Sequence, residues 1–203
     1  MIKEILDHKI FYYKSLIANP KAFVKKIEDL DIKIAHPLLL SSWQPWVSST
    51  RPDDVFGQFK TGPAKFSFVS EEEKESALIL STIDDIFNMC VEDYSKHVDM
   101  DLGYLPNEIT IRKYNPGGQM GPHIDCEDND DESRLTASMV LYLNDDFEGG
   151  EVEFPQQGIR LKPEPGSLLI FPSTKPYYHA SSTIISGNKY MCPNFMFRSS
   201  KLN

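Results

Sequence analysis

No run of 18 uninterrupted apolar residues occurs anywhere in the chain, and a membrane-spanning helix needs about that many. A membrane is therefore not expected as a partner. Cysteine is scarce: Cys90, Cys126 and Cys192 are the only three, and no two are spaced as Cys-x-x-Cys. That argues against a disulfide framework and against a thiolate zinc site, and it makes a reducing, cytoplasmic setting the expectation. Positive charge is also in short supply, with 21 basic against 30 acidic residues and a net charge of −9. A protein that tracks a phosphate backbone needs the opposite balance, so no nucleic-acid partner is expected. The opening stretch MIKEILDHKIFYYKSLI is broken by Lys3, Glu4, Asp7, His8, Lys9 and Lys14, which fits neither a secretory signal nor a span. What the chain does have is ordinary for a globular protein: 203 residues, 40% apolar and 25% charged, enough for one domain with a sizeable core.

The two halves of the chain read differently. Residues 1–105 form a helical portion with a loop, and residues 106–200 form a β-core, within a single domain spanning 1–203. Ile10 to Ile17 reads as a short apolar strand. Asn19-Pro20 opens a helix, with Phe23, Val24, Ile27 and Leu30 at helical spacing. Pro37 to Pro63, with Trp43 and Trp46, has no clean period and reads as a long loop. Ser70-Glu71-Glu72-Glu73 is a capping box. Ile79, Ile83, Ile86, Phe87, Cys90, Val91 and Tyr94 then mark the longest helix, about 25 residues on this pattern.

After Asp101 the apolar period falls from 3.6 to 2. Glu108–Tyr114 alternates, and so does Arg134–Leu143, with Leu135, Ala137, Met139, Leu141 and Leu143 on one face and Thr136, Ser138, Val140 and Tyr142 on the other. Short strands follow at 151–154, 159–161, 167–171, 177–179 and 189–198. Asn115-Pro-Gly-Gly118, Glu148-Gly-Gly150 and Pro163-Glu-Pro-Gly166 supply turn chemistry between them. The pattern predicts seven or eight strands closed into a sandwich or barrel.

Two of the five histidines open a His-x-Asp triplet, His97-Val98-Asp99 and His123-Ile124-Asp125. With 5 His and 16 Asp, chance alone supplies about 0.4 such triplets, so one match decides little. Local structure separates the two. In a strand, residues i and i+2 share a face and can converge on one metal ion. In a helix they diverge by roughly 200°. His97 lies at the end of the long helix, where a histidine suits the dipole, and reads as structural. His123 and Asp125 follow a Pro-Gly-Gly turn among strands and read as a metal-binding pair. His179, in Tyr177-Tyr178-His179, is the candidate third ligand; His8 and His36 lack β-core context. Two neutral imidazoles and one carboxylate form the facial triad of non-haem Fe(II) oxygenases, with three coordination positions left open. Zinc accepts a similar set, so ligand type alone does not name the metal. Lys189, entering the last strand after Ser186-Gly-Asn, needs a partner if it is buried, and an anionic cosubstrate would supply one.

From about Asn107 to Arg198 the sequence resembles the Fe(II)/2-oxoglutarate-dependent oxygenases of the prolyl 4-hydroxylase-like branch. The resemblance rests on Arg112-Lys-Tyr-Asn-Pro-Gly-Gly118, Pro122-His-Ile-Asp125, Leu141-Tyr-Leu-Asn144, Glu148-Gly-Gly-Glu151 with Phe154-Pro155, Pro165-Gly166 with Leu169-Ile-Phe171, His179-Ala180 and Gly187-Asn-Lys189, in matching order and spacing. It implies a mostly β fold with N-terminal helices: a double-stranded β-helix, jelly-roll or cupin-like core, with the helices packed on one sheet. It implies that His123, Asp125 and His179 hold Fe(II), that Lys189 pairs with the distal carboxylate of 2-oxoglutarate, and that Tyr114 and Tyr142 offer hydroxyls to that cosubstrate. It further implies O₂ as the second cosubstrate and allows ascorbate as an accessory reductant. Phe195 takes a place where relatives often carry Trp, on the Lys189 face unless Pro193 shifts the register.

The implied reaction is hydroxylation of a C–H bond, first of all in a prolyl residue of a peptide or protein, with release of succinate and CO₂. The alternatives are the same chemistry on a free amino acid or other small molecule, and a non-catalytic metal- or ligand-binding β-sandwich. Val152 stands where some relatives have a Thr that holds the cosubstrate carboxylate, which would shift that contact toward Tyr142. Cys126 adjoins a ligand but is expected on the opposite face, and Cys192 is out of phase with Lys189, so both read as packing. Trp43 and Trp46 read as packing of the helical layer, with an aromatic platform for a peptide as the functional alternative. Residues 125–132 hold six acids and no base. They read as a solvated lid at the site's mouth, whose field favours neutral or basic peptide substrates.

Overall fold

Four consecutive residues, Ile10, Phe11, Tyr12 and Tyr13, are fully buried. Phe11 and Tyr13 belong to an apolar layer shared with helices, whereas Ile10 and Tyr12 belong to a second layer between two sheets. Neighbouring side chains on a strand point to opposite faces, so a strand buried on both sides must lie between two other layers. A helical layer, a large sheet and a smaller sheet stack in that order. The structure is a computed structural model that describes residues 1–34, 44–47, 55–59, 71–105, 109, 111–126 and 135–198.

Strands β1 (Ile2–Asp7) and β2 (Ile10–Lys14) form a hairpin, followed by helix α1 (Pro20–Ile34). The Asn19 side chain accepts the Ala22 N–H at 3.0 Å, an N-cap ahead of Pro20 at the first helical position. Strands β3 (Gln44–Val47) and β4 (Val55–Phe59) precede helix α2 (Glu71–Val98), and β5 (Leu102–Tyr104) and β6 (Ile111–Tyr114) follow it. Then come β7 (Met120–His123), β8 (Leu135–Tyr142), β9 (Glu148–Gly149), β10 (Val152–Phe154) and β11 (Ile159–Leu161). The last four are β12 (Ser167–Pro172), β13 (His179–Ser181), β14 (Ile184–Ser186) and β15 (Lys189–Arg198).

The large sheet has nine strands in the order β1-β2-β12-β8-β15-β6-β4-β3, with β5 beside β15. The small sheet runs β11-β10-β13-β7, and β14 pairs with β9. This is the double-stranded β-helix with helices on one sheet that the sequence implies. The alternation of β8 sorts its residues as expected. Ala137, Met139 and Leu141 face the helical layer, packing with Ile83, Phe87, Cys90 and Tyr94 of α2, while Val140 and Tyr142 face the small sheet. Polar ties fix α2 in place: Tyr13 OH donates to Asp93 at 2.9 Å, Tyr94 OH to the Lys9 carbonyl at 3.2 Å, and Tyr104 OH to Asp84.

Three expectations change. The N-terminal half is not helices alone, because β1 and β2 extend the large sheet next to β12. The stretch Pro37–Pro63 contains β3 and β4, which continue the sheet beyond β6. Pro45 is compatible with a strand because β3 is the sheet edge; Trp43 lies outside the described residues. Eleven strands follow α2 rather than seven or eight. The strand expected at 177–179 instead starts at His179. Among those not foreseen, β5, β9 and β14 are only two or three residues long and too short to show a period, and β7 carries Gly121 and Pro122. Pro193 leaves the β15–β8 register intact; the irregularity falls at Met196/Phe197 instead.

Candidate active site

Antiparallel pairing of β13 with β7 sets His179 directly opposite His123, and the two rings lie 4.2 Å apart, centroid to centroid. His123 is the last residue of its strand. Asp125 is not on the strand, as the same-face reasoning supposed, but in the bend after it. The backbone N–H groups of Asp125 and Cys126 both donate to the Ser173 carbonyl, at 3.1 and 3.0 Å, and this turns the Asp125 carboxylate back onto the histidines. Its oxygens lie 3.3 Å from His123 Nε2 and 3.5 Å from His179 Nε2. Ligand atoms of all three residues fall within 4.8 Å of one another, and this is the only such metal-competent cluster among the described residues.

The imidazoles are held in one tautomer. His123 Nδ1 lies 2.8 Å from the Gly121 carbonyl, and His179 Nδ1 lies 3.2 Å from the Tyr177 carbonyl. A carbonyl can only accept, so Nδ1 donates on both rings, and Nε2 is the nitrogen turned toward the centre, facing Asp125 and able to give its lone pair to a metal in place of a proton. Phe171 and Phe154 pack against the His179 ring at 4.5 and 5.7 Å. Burial works against ionisation of Asp125. The His123 hydrogen bond, the His179 charge and the Ser138 hydroxyl together outweigh it and hold the carboxyl below its usual range. An ionised carboxylate and two inward-facing Nε2 atoms fit a divalent first-row metal such as Fe(II) and would leave some of its positions open.

The triad opens on a cavity of about 180 Å³ between the two sheets. Its floor comes from alternate residues of β8 and β15: Ser138, Val140 and Tyr142 beside Lys189, Met191 and Phe195. Val152 and Ser181 belong to the facing sheet. Ser138, at the metal end, is four residues from Tyr142, about 13 Å along the strand. A larger groove of about 730 Å³ near the end of α2 carries none of the triad. His97 packs its ring on Phe11 at 4.4 Å and takes no part in the cavity, so the first His-x-Asp triplet is structural.

Lys189 forms the other end. It is 1% exposed, and its ammonium donates to the Gly150 carbonyl at 2.6 Å and to Ser181 Oγ at 3.0 Å, with the Tyr142 ring centroid 5.3 Å away. Burial pushes its pKa down to about 7, with Glu151 offsetting part of the effect. Two neutral acceptors are poor compensation for a buried cation, so the recess is built for an anion. Burial raises the Tyr142 phenol's pKa, which keeps it a neutral donor. Tyr114 is 1% exposed and lines the same cavity. Ser181 was not foreseen. It sits opposite Val152 and brings a hydroxyl to the place where residue 152 has none, and its i+2 relation to His179 is the signal that could have found it. Cys126 and Cys192 are buried thiols, and neither joins the metal-competent cluster.

Residues 109–197 match the family model described as the 2OG-Fe(II) oxygenase superfamily. Over those residues the chain is similar to the 2OG-Fe(II) oxygenase superfamily. Prolyl 4-hydroxylase subunit alpha-1 of Gallus gallus is 28% identical to the chain over 99 residues, and that of Bos taurus 27% over 119. These matches cover 41% and 51% of this chain, but only 19% and 22% of the two subunits. The chain thus spans about a fifth of the length of either relative. A Pseudomonas putida prolyl-4-hydroxylase superposes with a TM-score of 0.64 at 18% identity, covering 94% of this chain and 93% of that one. The 2OG complex of a viral collagen prolyl hydroxylase from Paramecium Bursaria Chlorella virus-1 gives 0.62 at 18%, covering 93% and 95%. A Trichoplax adhaerens prolyl hydroxylase with a hypoxia inducible factor peptide fragment gives 0.66 at 12%, covering 96% and 86%. At these identities the solved structures establish the fold alone, and the likeness extends over nearly the whole length of this chain.

Proposed function

We propose that this protein is an Fe(II)- and 2-oxoglutarate-dependent dioxygenase that hydroxylates a C–H bond of a prolyl residue in a peptide or protein. The observation that carries the reading is the pairing, in one cavity, of a His-Asp-His cluster with a buried lysine held by the Gly150 carbonyl and the Ser181 hydroxyl. His123, Asp125 and His179 would hold the metal. Lys189, with Ser181 and Tyr142, would bind the distal carboxylate of the cosubstrate, and Tyr114 would offer a further hydroxyl. When bound, the metal with 2-oxoglutarate and O₂ supplies oxidative decarboxylation to succinate and CO₂, one oxygen atom going to succinate and the other to the substrate C–H bond.

The chain's own contribution is positional. The backbone carbonyls of Gly121 and Tyr177 fix the imidazole tautomers. The rings of Phe154 and Phe171 pack against His179 and fix its orientation. Lys189 sets which end of a dicarboxylate lies away from the triad. Prolyl specificity draws support from the prolyl 4-hydroxylase relatives, and the peptide class from the peptide complex among the structural neighbours. The acidic balance favours neutral or basic peptides, with nucleic acid not expected as a partner. A reducing, cytoplasmic setting is supported by three cysteines that form no disulfide. No helix among the described residues is long and apolar enough to cross a membrane.

The test is conversion of 2-oxoglutarate to succinate by the full chain with Fe(II), O₂ and a panel of proline-containing peptides. Succinate formed in step with hydroxyproline is the expected result. Succinate formed in step with an oxidised small molecule would move the substrate assignment. No turnover of either kind, together with no Fe(II)-dependent binding of 2-oxoglutarate, would overturn the enzyme reading.

A further inference from the structure

Behind the Asp125 carboxylate lie two buried hydroxyls. Ser138, 2% exposed, places Oγ 2.6 Å from Asp125 Oδ2, and Ser173, fully buried, places its own Oγ 2.8 Å from that of Ser138. Directions follow from chemistry. An ionised carboxylate only accepts, so Ser138 donates its proton to Asp125, and Ser173 must then be the donor to Ser138. Ser173 holds the same residue a second way, because its carbonyl accepts the backbone N–H groups of Asp125 and Cys126, and its own N–H is tied to the Thr136 carbonyl at 3.3 Å. One residue of the loop after β12 therefore fixes both the backbone and, through Ser138 of β8, the side chain of Asp125. The strands involved are direct neighbours, with Phe171 and Pro172 of β12 opposite Ser138 and Ala137 of β8.

We propose that Ser173 and Ser138 form a positioning relay that keeps Asp125 a one-oxygen metal ligand. Oδ2 lies 3.5 Å from His179 Nε2 but accepts the Ser138 hydroxyl, which leaves Oδ1, 3.3 Å from His123 Nε2, as the oxygen presented to the ion. Denticity matters to what the site can do. Two imidazoles and a single carboxylate oxygen would leave a six-coordinate ion three positions. A 2-oxo acid offering two oxygens would take two of these, and one would remain. A carboxylate ligating through both oxygens would consume that last position. The relay therefore acts through Asp125 and contacts neither substrate nor cosubstrate. Supporting groups of this kind typically alter metal affinity by about 10–100-fold.

This inference rests on the metal reading of the triad, and its test separates the two. Ser138→Thr and Ser138→Val place side chains of nearly equal size in the same strand, and only the first keeps the hydroxyl. Mn(II) binding to each full-length variant, followed by loss of the free-ion electron paramagnetic resonance signal, needs no turnover. Ser138→Thr should bind within about threefold of wild type and Ser138→Val about 10–100-fold more weakly, with Ser173→Ala weakened in the same direction. Circular dichroism and thermal unfolding of the metal-free variants should match between the Thr and Val replacements. Equal Mn(II) affinity in those two variants overturns the relay while leaving the triad intact. A wild-type chain that binds no Mn(II) or Fe(II), or a His179→Ala variant that binds as well as wild type, overturns the metal reading and the relay with it.

Discussion

At the scale of single residues, burial and hydrogen bonding divide the histidines by role. His123 and His179 have Nδ1 tied to backbone carbonyls and Nε2 turned inward. His97 stacks edge-on against Phe11, and His8 is an exposed partner of Asp7. Changing His123 or Asp125 to Ala should therefore abolish both succinate formation and tight metal binding. His97→Ala should keep turnover and lose only the ring contact with Phe11, about 1 kcal/mol of stability. A dead His97→Ala enzyme with normal folding would show that the wrong His-x-Asp triplet had been chosen. At the far end of the cavity, Ser181→Ala removes one of the two acceptors of the Lys189 ammonium. A hydrogen bond to a charged group contributes about 1.5–3 kcal/mol, so 2-oxoglutarate affinity should fall about tenfold or more, and Ser181→Thr should retain it.

Lys189 also predicts a pH signature. Burial holds its pKa to about 7 in the free protein, so above that pH the neutral amine prevails. A carboxylate binds the charged form and must raise the lysine's pKa in the complex. Sites that bind a ligand better when protonated lose affinity as pH rises from the free value to the bound one. Affinity for 2-oxoglutarate should accordingly be full below about pH 7 and decline above it, with proton uptake accompanying binding at pH 8. Calorimetry of the Mn(II)-loaded protein in two buffers of different ionisation enthalpy measures that uptake. Lys189→Met should abolish it, and identical uptake in the variant would assign the proton to another group.

At the scale of elements, the short β9–β14 pair shapes the lysine recess through its glycines. Gly150 has φ +68°, and a Cβ there would approach Ile184 Cδ1 to 2.4 Å and Phe147 Cε2 to 2.9 Å. Its carbonyl is the nearer acceptor of Lys189. Gly150→Ala should destabilise the protein by about 1–3 kcal/mol through backbone strain alone, and weaken 2-oxoglutarate binding in the same variant. Urea unfolding and a binding titration read the two effects separately. If stability falls but affinity does not, the Gly150 carbonyl is not part of the recess.

How much of this was legible in the sequence depended on the length of each element. The β8 alternation and the apolar stripe of α2 each run long enough to fix a face, so the layer each residue joins could be read directly. The members of the His-Asp-His cluster were legible too, because the turn before His123 and the strands around His179 set the context. The relay and Ser181 were not. Ser138 was visible only as part of a polar strand face, and what it touches depends on Ser173 arriving from the loop after β12, 35 residues on. Ser181 becomes meaningful only once β13 is known to pair with β10. Contacts set by register between distant strands leave no periodic trace in either partner.

At the scale of the whole molecule, charge is the property that no single element carries. Residues 125–132 contribute −6 of the net −9, and the first of them is the carboxylate of the triad; residues 127–134 lie outside the described structure. A metal ion would neutralise Asp125 locally, but the remaining acids of the segment would still follow directly after a ligand. Fields of this kind act on encounter rather than on bound contacts. They also fade once the Debye length, about 10 Å at 0.1 M salt, shrinks to about 3 Å at 1 M. A proline-containing peptide flanked by Lys or Arg should therefore show a higher kcat/KM than its Asp/Glu-flanked counterpart. The advantage should reside mainly in KM and be largely lost at high salt. Replacing Glu127, Asp128, Asp130 and Asp131 by their amides should shrink the same advantage at low salt, while metal affinity stays within a few fold of wild type. Equal rates on the two peptides at low salt, or a preference that persists at 1 M, would show that the acidic segment does not select substrates by long-range charge.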